Sequence, residues 1–247
     1  MHEKTNIFVQ GSMEIRKIIA LLDATSKRRK TTGEHYRLDR LDGSSYLDSF
    51  PKWRREITSY LSELRVKGEE PVYVDICGRA DGFTLGAVKC YSFSLQPIPN
   101  YFLPSEHKVM VSGNIFSGKD FNSFIQLLRK NGSRPAFVTF EPVAGLQYYT
   151  PDVANGLFER IVYQRLEGNL RRMYDLLLPG GFIYISRPFQ LDDMREFFAG
   201  VPQEKSALAL RIQSFCQNRR CSLQINRTIF GPRFLIRKHL ERKKRTG

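Results

Sequence analysis

The sequence predicts an α/β chain, a mainly parallel sheet with helices on both faces, preceded by a helical, basic N-terminal extension. Three observations predict it. From Pro71 onward short apolar runs alternate with amphipathic stretches of helical period, a pattern that right-handed crossovers turn into neighbouring parallel strands. The run VYVDI ends on an acid and is followed by two glycines, Gly78 and Gly82. A long helical pattern breaks at Pro179-Gly180-Gly181 and passes straight into a further apolar run, FIYISR.

Each element follows from local pattern. Met13 to Ala24 reads as an amphipathic helix, with Ile15, Ile18, Ile19 and Leu22 on one face. Thr25 to Phe50 mixes turn formers with Lys27, Arg28, Arg29, Lys30, Arg37 and Arg40, and reads as an exposed arm leading to a short helix. Pro51 opens a helix to Leu64, with Ile57, Tyr60, Leu61 and Leu64 at helical spacing. Strands are expected at 72–76, 90–95, 108–113, 136–141 and 182–187, and helices at 121–129 and 157–178. A helix from about Leu191 to Phe198, further short elements and a strand pair around Cys221 to Ile236 complete the sheet. The expected division is an extension over 1–65, an α/β domain over 66–236 and a charged tail over 237–247.

Composition narrows the function classes. Among 247 residues, 39 Lys and Arg face 25 Asp and Glu, a formal charge of +14, which points to a polyanionic partner, nucleic acid first. A basic protein charged for solubility, or a subunit of a large ribonucleoprotein, is the plainer alternative. Cys77, Cys90, Cys216 and Cys221 form no CxxC pair, so neither a disulfide framework nor a zinc site is expected and a reducing compartment fits. MHEKTNIFVQ lacks the apolar run of a secretory signal, and no stretch approaches the ~20 apolar residues of a membrane span. An intracellular, cytoplasmic protein without membrane or metal partners is expected, and the basic tail also reads as a nuclear-targeting signal.

In a doubly wound sheet the loop after the first strand lies at the carboxyl edge, where ligands bind. Gly78 and Gly82 leave backbone there that a ligand can approach. The spacing is neither GxGxxG nor a phosphate loop, which disfavours a dinucleotide oxidoreductase; a plain strand-to-helix turn is the bland alternative.

The helix, Leu-Pro-Gly-Gly and strand over 173–190 resembles a habitual feature of class I S-adenosylmethionine-dependent methyltransferases. Asp75-Ile76-Cys77-Gly78-Arg79-Ala80-Asp81-Gly82-Phe83 resembles, position by position, the glycine loop of one branch, the FtsJ-like ribose 2′-O-methyltransferases. Thr139-Phe140-Glu141-Pro142-Val143 is similar to that branch's next acidic strand end, and Ser186-Arg187-Pro188-Phe189-Gln190 to its late strand. The similarity spans about residues 71 to 195 and extends back toward residue 31, where Tyr36-Arg37-Leu38 resembles the family's Y-K-L on the helix before the sheet.

The resemblance implies a Rossmann-like class I methyltransferase fold, S-adenosylmethionine as cofactor and RNA as substrate, modified at ribose 2′-hydroxyls. It implies catalytic positions at Glu141, Arg187 and Arg37, where the family has a Lys-Asp-Lys-Glu tetrad. The fourth partner is unassigned, and Gly231-Pro232-Arg233 falls near its place. Cofactor contacts would come from Asp75, Gly78, Asp81, Gly82, Phe83, Asn114 and Ser94, with Ser92 the other candidate for the acid that usually ends the second strand. Asp81 either bonds the cofactor's ammonium group or caps the next helix.

An arginine stays protonated, so Arg187 would hold a developing alkoxide by charge and not take its proton. RNA contacts are expected from the basic arm at 27–40 and the tail at 237–245. Tyr36, Trp53, Tyr148 and Tyr149 are candidate stacking surfaces, core packing being the alternative for each. The competing function is a catalytically inactive methyltransferase-like RNA-binding module of a ribonucleoprotein or viral replication complex.

Overall fold

The computed structural model describes residues 47, 50–77, 89–94, 108–115, 117–140, 156–185, 207–219, 221–228 and 231–240. Within them the chain runs α1 (Pro51–Val66), β1 (Val72–Ile76), β2 (Lys89–Ser94), β3 (Lys108–Ser112), α2 (Gly118–Lys130), β4 (Pro135–Phe140), α3 (Gly156–Leu176), β5 (Phe182–Ile185), α4 (Ala207–Arg219), β6 (Ser222–Thr228) and β7 (Gly231–Arg237). The expected helices at 13–24 and 191–198 lie outside the described residues. Helix α4 was anticipated only as a short element.

All seven strands join one sheet in the order β3-β2-β1-β4-β5-β7-β6. The first five in that order are parallel to one another. Strand β7 enters antiparallel between β5 and β6. This is the Rossmann-like, mainly parallel sheet with helices on both faces that the sequence predicts. Its crossovers reverse direction between β1 and β4, the place where such sheets open a ligand crevice at their carboxyl edge.

Both faces are covered, which is why β1, β4 and β5 read as mostly apolar runs rather than alternating ones, broken only by the buried Asp75 and Thr139. On one face Val74, Ile76, Phe93, Val138 and Ile183 pack under Phe121, Phe124 and Leu128 of α2, Leu170 and Met173 of α3, and Ile212 and Phe215 of α4. On the other, Trp53, Ile57, Tyr60, Leu61 and Leu64 of α1 cover Tyr73, Phe137, Phe182, Tyr184 and Leu235. Helix α1, which the sequence places in the N-terminal extension, is thus a layer over the sheet. Trp53 is buried there rather than offered for stacking: its Nε1 donates to Gln224 Oε1 at 2.7 Å, and Gln224 Nε2 donates to Glu56.

The Pro179-Gly180-Gly181 break needs its two glycines for different reasons. Gly180 takes φ +81°, a left-handed conformation that costs glycine nothing. At Gly181 a Cβ would lie 2.8 Å from the Ala136 carbonyl. Lys238, just past β7, closes the same corner: its Nζ donates to the carbonyls of Tyr174 and Leu177 at 3.0 and 2.9 Å, adding a charged donor where α3 ends. No described helix is long and apolar enough to cross a membrane.

Candidate functional site

The carboxyl edge of β1, β2 and β3 is built by hydrogen bonds that run on past the strands. Cys77 N–H donates to the Phe93 carbonyl at 2.7 Å, and Gly113 N–H to the Ser94 carbonyl at 2.9 Å. Residues 77, 94 and 113 therefore lie side by side, and with them come three positions chosen from the sequence: Asp75, Ser94 and Asn114.

Cys77 takes φ +68°, where a side chain is strained and glycine is the usual occupant. This left-handed residue follows immediately on the strand end at Ile76. Sequence reasoning singled out Gly78 and Gly82 for close backbone approach and passed over this cysteine. Its position directly after the Asp-Ile strand end was the available signal.

Asp75 is fully buried. Its carboxylate accepts a hydrogen bond from Thr139 Oγ1 at 2.5 Å, and Tyr73 Oη lies 2.8 Å from the same Thr139 hydroxyl. A threonine hydroxyl has one proton. With that proton committed to Asp75, Tyr73 is the donor, giving the chain Tyr73 to Thr139 to Asp75 through the layer beneath α1. These bonds tie β1 to β4 at the point where the crossovers reverse.

Ser92 and Ser94 are both buried, but they stand at different depths. Ser92 is level with Asp75 on β1 and Met110 on β3. Ser94 is the last residue of β2, level with Ser112. The end-of-strand position belongs to Ser94. Asn114 is buried, its N–H donates to Asp120 Oδ2 at 2.9 Å, and its carbonyl accepts from Ser117 N–H. Ser117 in turn caps α2 by accepting from Asp120 N–H. One carboxylate, Asp120, thus holds the segment that carries Asn114 against the start of α2. Ile115 is held from the other side, its carbonyl accepting from Asn169 Nδ2 at 2.6 Å.

Gly113 is required by packing. A Cβ there would meet the Phe93 ring at 2.5 Å, and that ring is itself wedged against Phe121 and Phe124. Arg233 stands at the same edge of the sheet, beyond β5. It precedes Phe234, the partner of the last β5 residue, Ile185, and it is buried. An arginine thus stands close to where the resemblance would put a glutamate.

Gly78, Asp81, Gly82, Phe83, Glu141, Arg187, Arg37, Tyr36, Tyr148 and Tyr149 lie outside the described residues. The strands that lead to Glu141 and Arg187 end at Phe140 and Ile185, both at the carboxyl edge. Among the described residues no group of His, Cys, Asp and Glu is arranged to hold a metal ion.

No protein-family profile matches the chain, and no curated protein does. Solved structures similar in chain trace include cofactor-bound Rv0187 from MTB, at 10% identity, 91% of this chain, 91% of that one and a TM-score of 0.46. The N-methyltransferase NodS from Bradyrhizobium japonicum WM9 is 12% identical over 75% of this chain and 96% of its own, with a TM-score of 0.39. The MycE methyltransferase of the mycinamycin biosynthetic pathway, solved with Mg and SAH, is 11% identical over 85% of this chain, with a TM-score of 0.42. The chain spans 57% of the length of MycE. The strand order given above, rather than these likenesses, defines the fold.

Proposed function

We propose that the chain is an S-adenosylmethionine-dependent methyltransferase acting on RNA, at ribose 2′-hydroxyls. The observation that carries this reading is the convergence of Asp75 on β1, Ser94 on β2 and Asn114 just past β3 at one carboxyl edge, beside the crossover reversal between β1 and β4. The groups at that edge suit a nucleoside. Ser94 and Asn114 supply a hydroxyl and an amide, able to donate and accept, and the left-handed Cys77 turn begins the loop that carries Gly78 and Gly82.

When bound, the cofactor supplies a methyl group on a sulfonium, an excellent leaving group for in-line displacement. What remains for the protein is to position the reactants and to handle one proton. Asp75 acts through Thr139, fixing β1 against β4 so that the loop after β1 starts from a rigid floor. Asn114, held by Asp120, faces the adenine side, and Ser94 the ribose side. On the acceptor side Glu141 orients the ribose and Arg187 stabilises the developing alkoxide, with Arg233 adding buried positive charge beside a polyanionic strand. Arg37 and the basic segments at 27–40 and 237–245 provide sequence-independent phosphate contacts.

Isothermal titration of the full chain with S-adenosylhomocysteine is the first test; saturable binding is expected, and none at millimolar ligand would remove the proposal. Transfer of tritiated methyl to RNA then reads the substrate. Modification of the ribose makes the adjoining linkage resistant to alkali, whereas base methylation does not. Glu141→Ala and Arg187→Ala should each lower transfer while cofactor binding persists.

A second reading, a catalytically inactive RNA-binding module on the same sheet, is favoured by Ser94 standing at the end of β2 where a carboxylate would take two ribose hydroxyl protons. It requires salt-sensitive RNA retention with neither cofactor binding nor turnover.

A further inference from the structure

The end of α4 holds two thiols together. Cys221 N–H donates to the Cys216 carbonyl at 3.1 Å, the backbone bond by which a helix closes when the chain returns onto its last turn. Such a closure brings the side chains at its two ends into contact, commonly as an apolar pair. In this chain both are cysteines. Cys221 Sγ donates to the Cys216 carbonyl at 3.6 Å, and the Cys216 thiol donates in turn to the Cys221 sulfur. Tyr174 of α3 walls the pair, its ring edge-on to Phe215 at 5.4 Å and its hydroxyl donating to the Arg219 carbonyl at 3.5 Å.

We propose that Cys216 and Cys221 are a modification site, a vicinal dithiol that a hydroperoxide converts into a reversible disulfide. The two thiols are unequal, and the inequality assigns their parts. Cys216 is buried, whereas Cys221 is partly exposed. The hydrogen bond from Cys216 holds the Cys221 thiol below its ordinary range, with further help from its own backbone, the Tyr174 phenol and the Arg219 charge, against an opposing effect of burial. The same bond, together with burial, pushes the Cys216 thiol up. Cys221 is therefore the nucleophile and Cys216 the resolving thiol.

The steps balance. Cys221 sulfur attacks a peroxide oxygen, the O–O bond breaks, and the leaving oxygen departs with the Cys221 proton as water or alcohol. Cys216 sulfur then attacks the resulting sulfenic acid, the S–O bond breaks, and the hydroxyl leaves with the Cys216 proton as water. Two thiols are oxidised by two electrons, one hydroperoxide is reduced, and a dithiol reductant reverses the change. The site opens β6 at the amino edge of the sheet, opposite the edge that carries Ser94 and Asn114. It pins α4 to β6 without reaching the proposed cofactor groups.

The test treats the folded full-length chain with hydrogen peroxide and maps peptides without reductant. Trypsin cuts after Arg219 and Arg220, so the two cysteines fall on separate peptides unless a disulfide joins them. A joined species that disappears on reduction is expected. In Cys216→Ala, Cys221 should stop as a sulfenic acid that dimedone traps. In Cys221→Ala, Cys216 should stay unmodified at the same peroxide dose. Oxidation of the wild-type chain to sulfinic acid at Cys221 with no joined species would overturn the proposal, as would a disulfide formed first through Cys77 or Cys90.

Discussion

Thr139 on β4 donates its hydroxyl proton to the Asp75 carboxylate on β1, 64 residues away in the chain. A buried carboxylate deprived of a donor costs about 1–3 kcal/mol. Thr139→Val keeps the shape and removes the donor, and it also leaves the Tyr73 hydroxyl without this acceptor. A loss of stability within that range is expected, read as a lower urea midpoint at unchanged slope. Thr139→Ser should recover most of it; equal losses for the two variants would mean that the methyl group, not the hydroxyl, matters.

Gly113→Ala should destabilise by about 1–3 kcal/mol, the usual cost of forcing extra volume into a packed core. The Phe93 ring that the new methyl would meet has no room to retreat, being stacked on Phe124 at 4.8 Å between centroids and edge-on to Phe121. Thermal unfolding of the variant checks this. An unchanged midpoint would show that the ring yields.

Cys77 separates two kinds of substitution. Cys77→Gly relieves a left-handed strain of about 1–2 kcal/mol but adds about 0.5–1 kcal/mol of unfolded-state freedom, so stability should change little. Cys77→Val puts a β-branched side chain at φ +68° and should be clearly worse. Denaturant midpoints of the two, measured side by side, decide it.

Alkaline pH should weaken the fold. Burial pushes the phenols of Tyr60 and Tyr174 up from 10.0 to about 12, with the nearby Glu69 and Cys221 respectively adding to the effect. Above pH 10 the unfolded chain gives up these protons while the folded chain keeps them, so stability is full below that value and falls as pH rises toward 12. Tyr60→Phe loses the hydrogen bond that Tyr60 donates to the Pro179 carbonyl at 2.7 Å. It should nevertheless flatten the alkaline decline by up to one proton's worth, measured as stability against pH.

Lys238→Met should cost about 1–3 kcal/mol. Its ammonium donates to carbonyls at the C-terminus of α3 and sits at the negative end of that helix. Hydrogen exchange concentrated in the last turn of α3 would locate the damage, and a uniform loss across the sheet would contradict this account.

The sequence by itself determined which segments are strands and helices wherever burial is two-sided or strongly one-sided. VYVDI is β1 residue for residue, and the runs beginning near 90, 108, 136 and 182 are β2 to β5, because strands inside a covered sheet are mostly apolar even where a hydrogen-bonded polar residue such as Asp75 or Thr139 is buried among them. Helix α4 was illegible for the opposite reason: it leaves Leu210 half exposed and mixes polar residues among its buried ones, which blurs the helical period.

Only the tertiary structure decided pairing. A strand pair near the C-terminus was expected, but its insertion with β7 reversed between β5 and β6 was not, since backbone hydrogen bonds carry no trace of which side chains they join. It likewise decided that Trp53 is core, that Ser94 rather than Ser92 ends β2, and that Asp75 leans on Thr139. Residue type names the chemistry available at a position, while contacts between distant segments exist only once the chain has closed on itself.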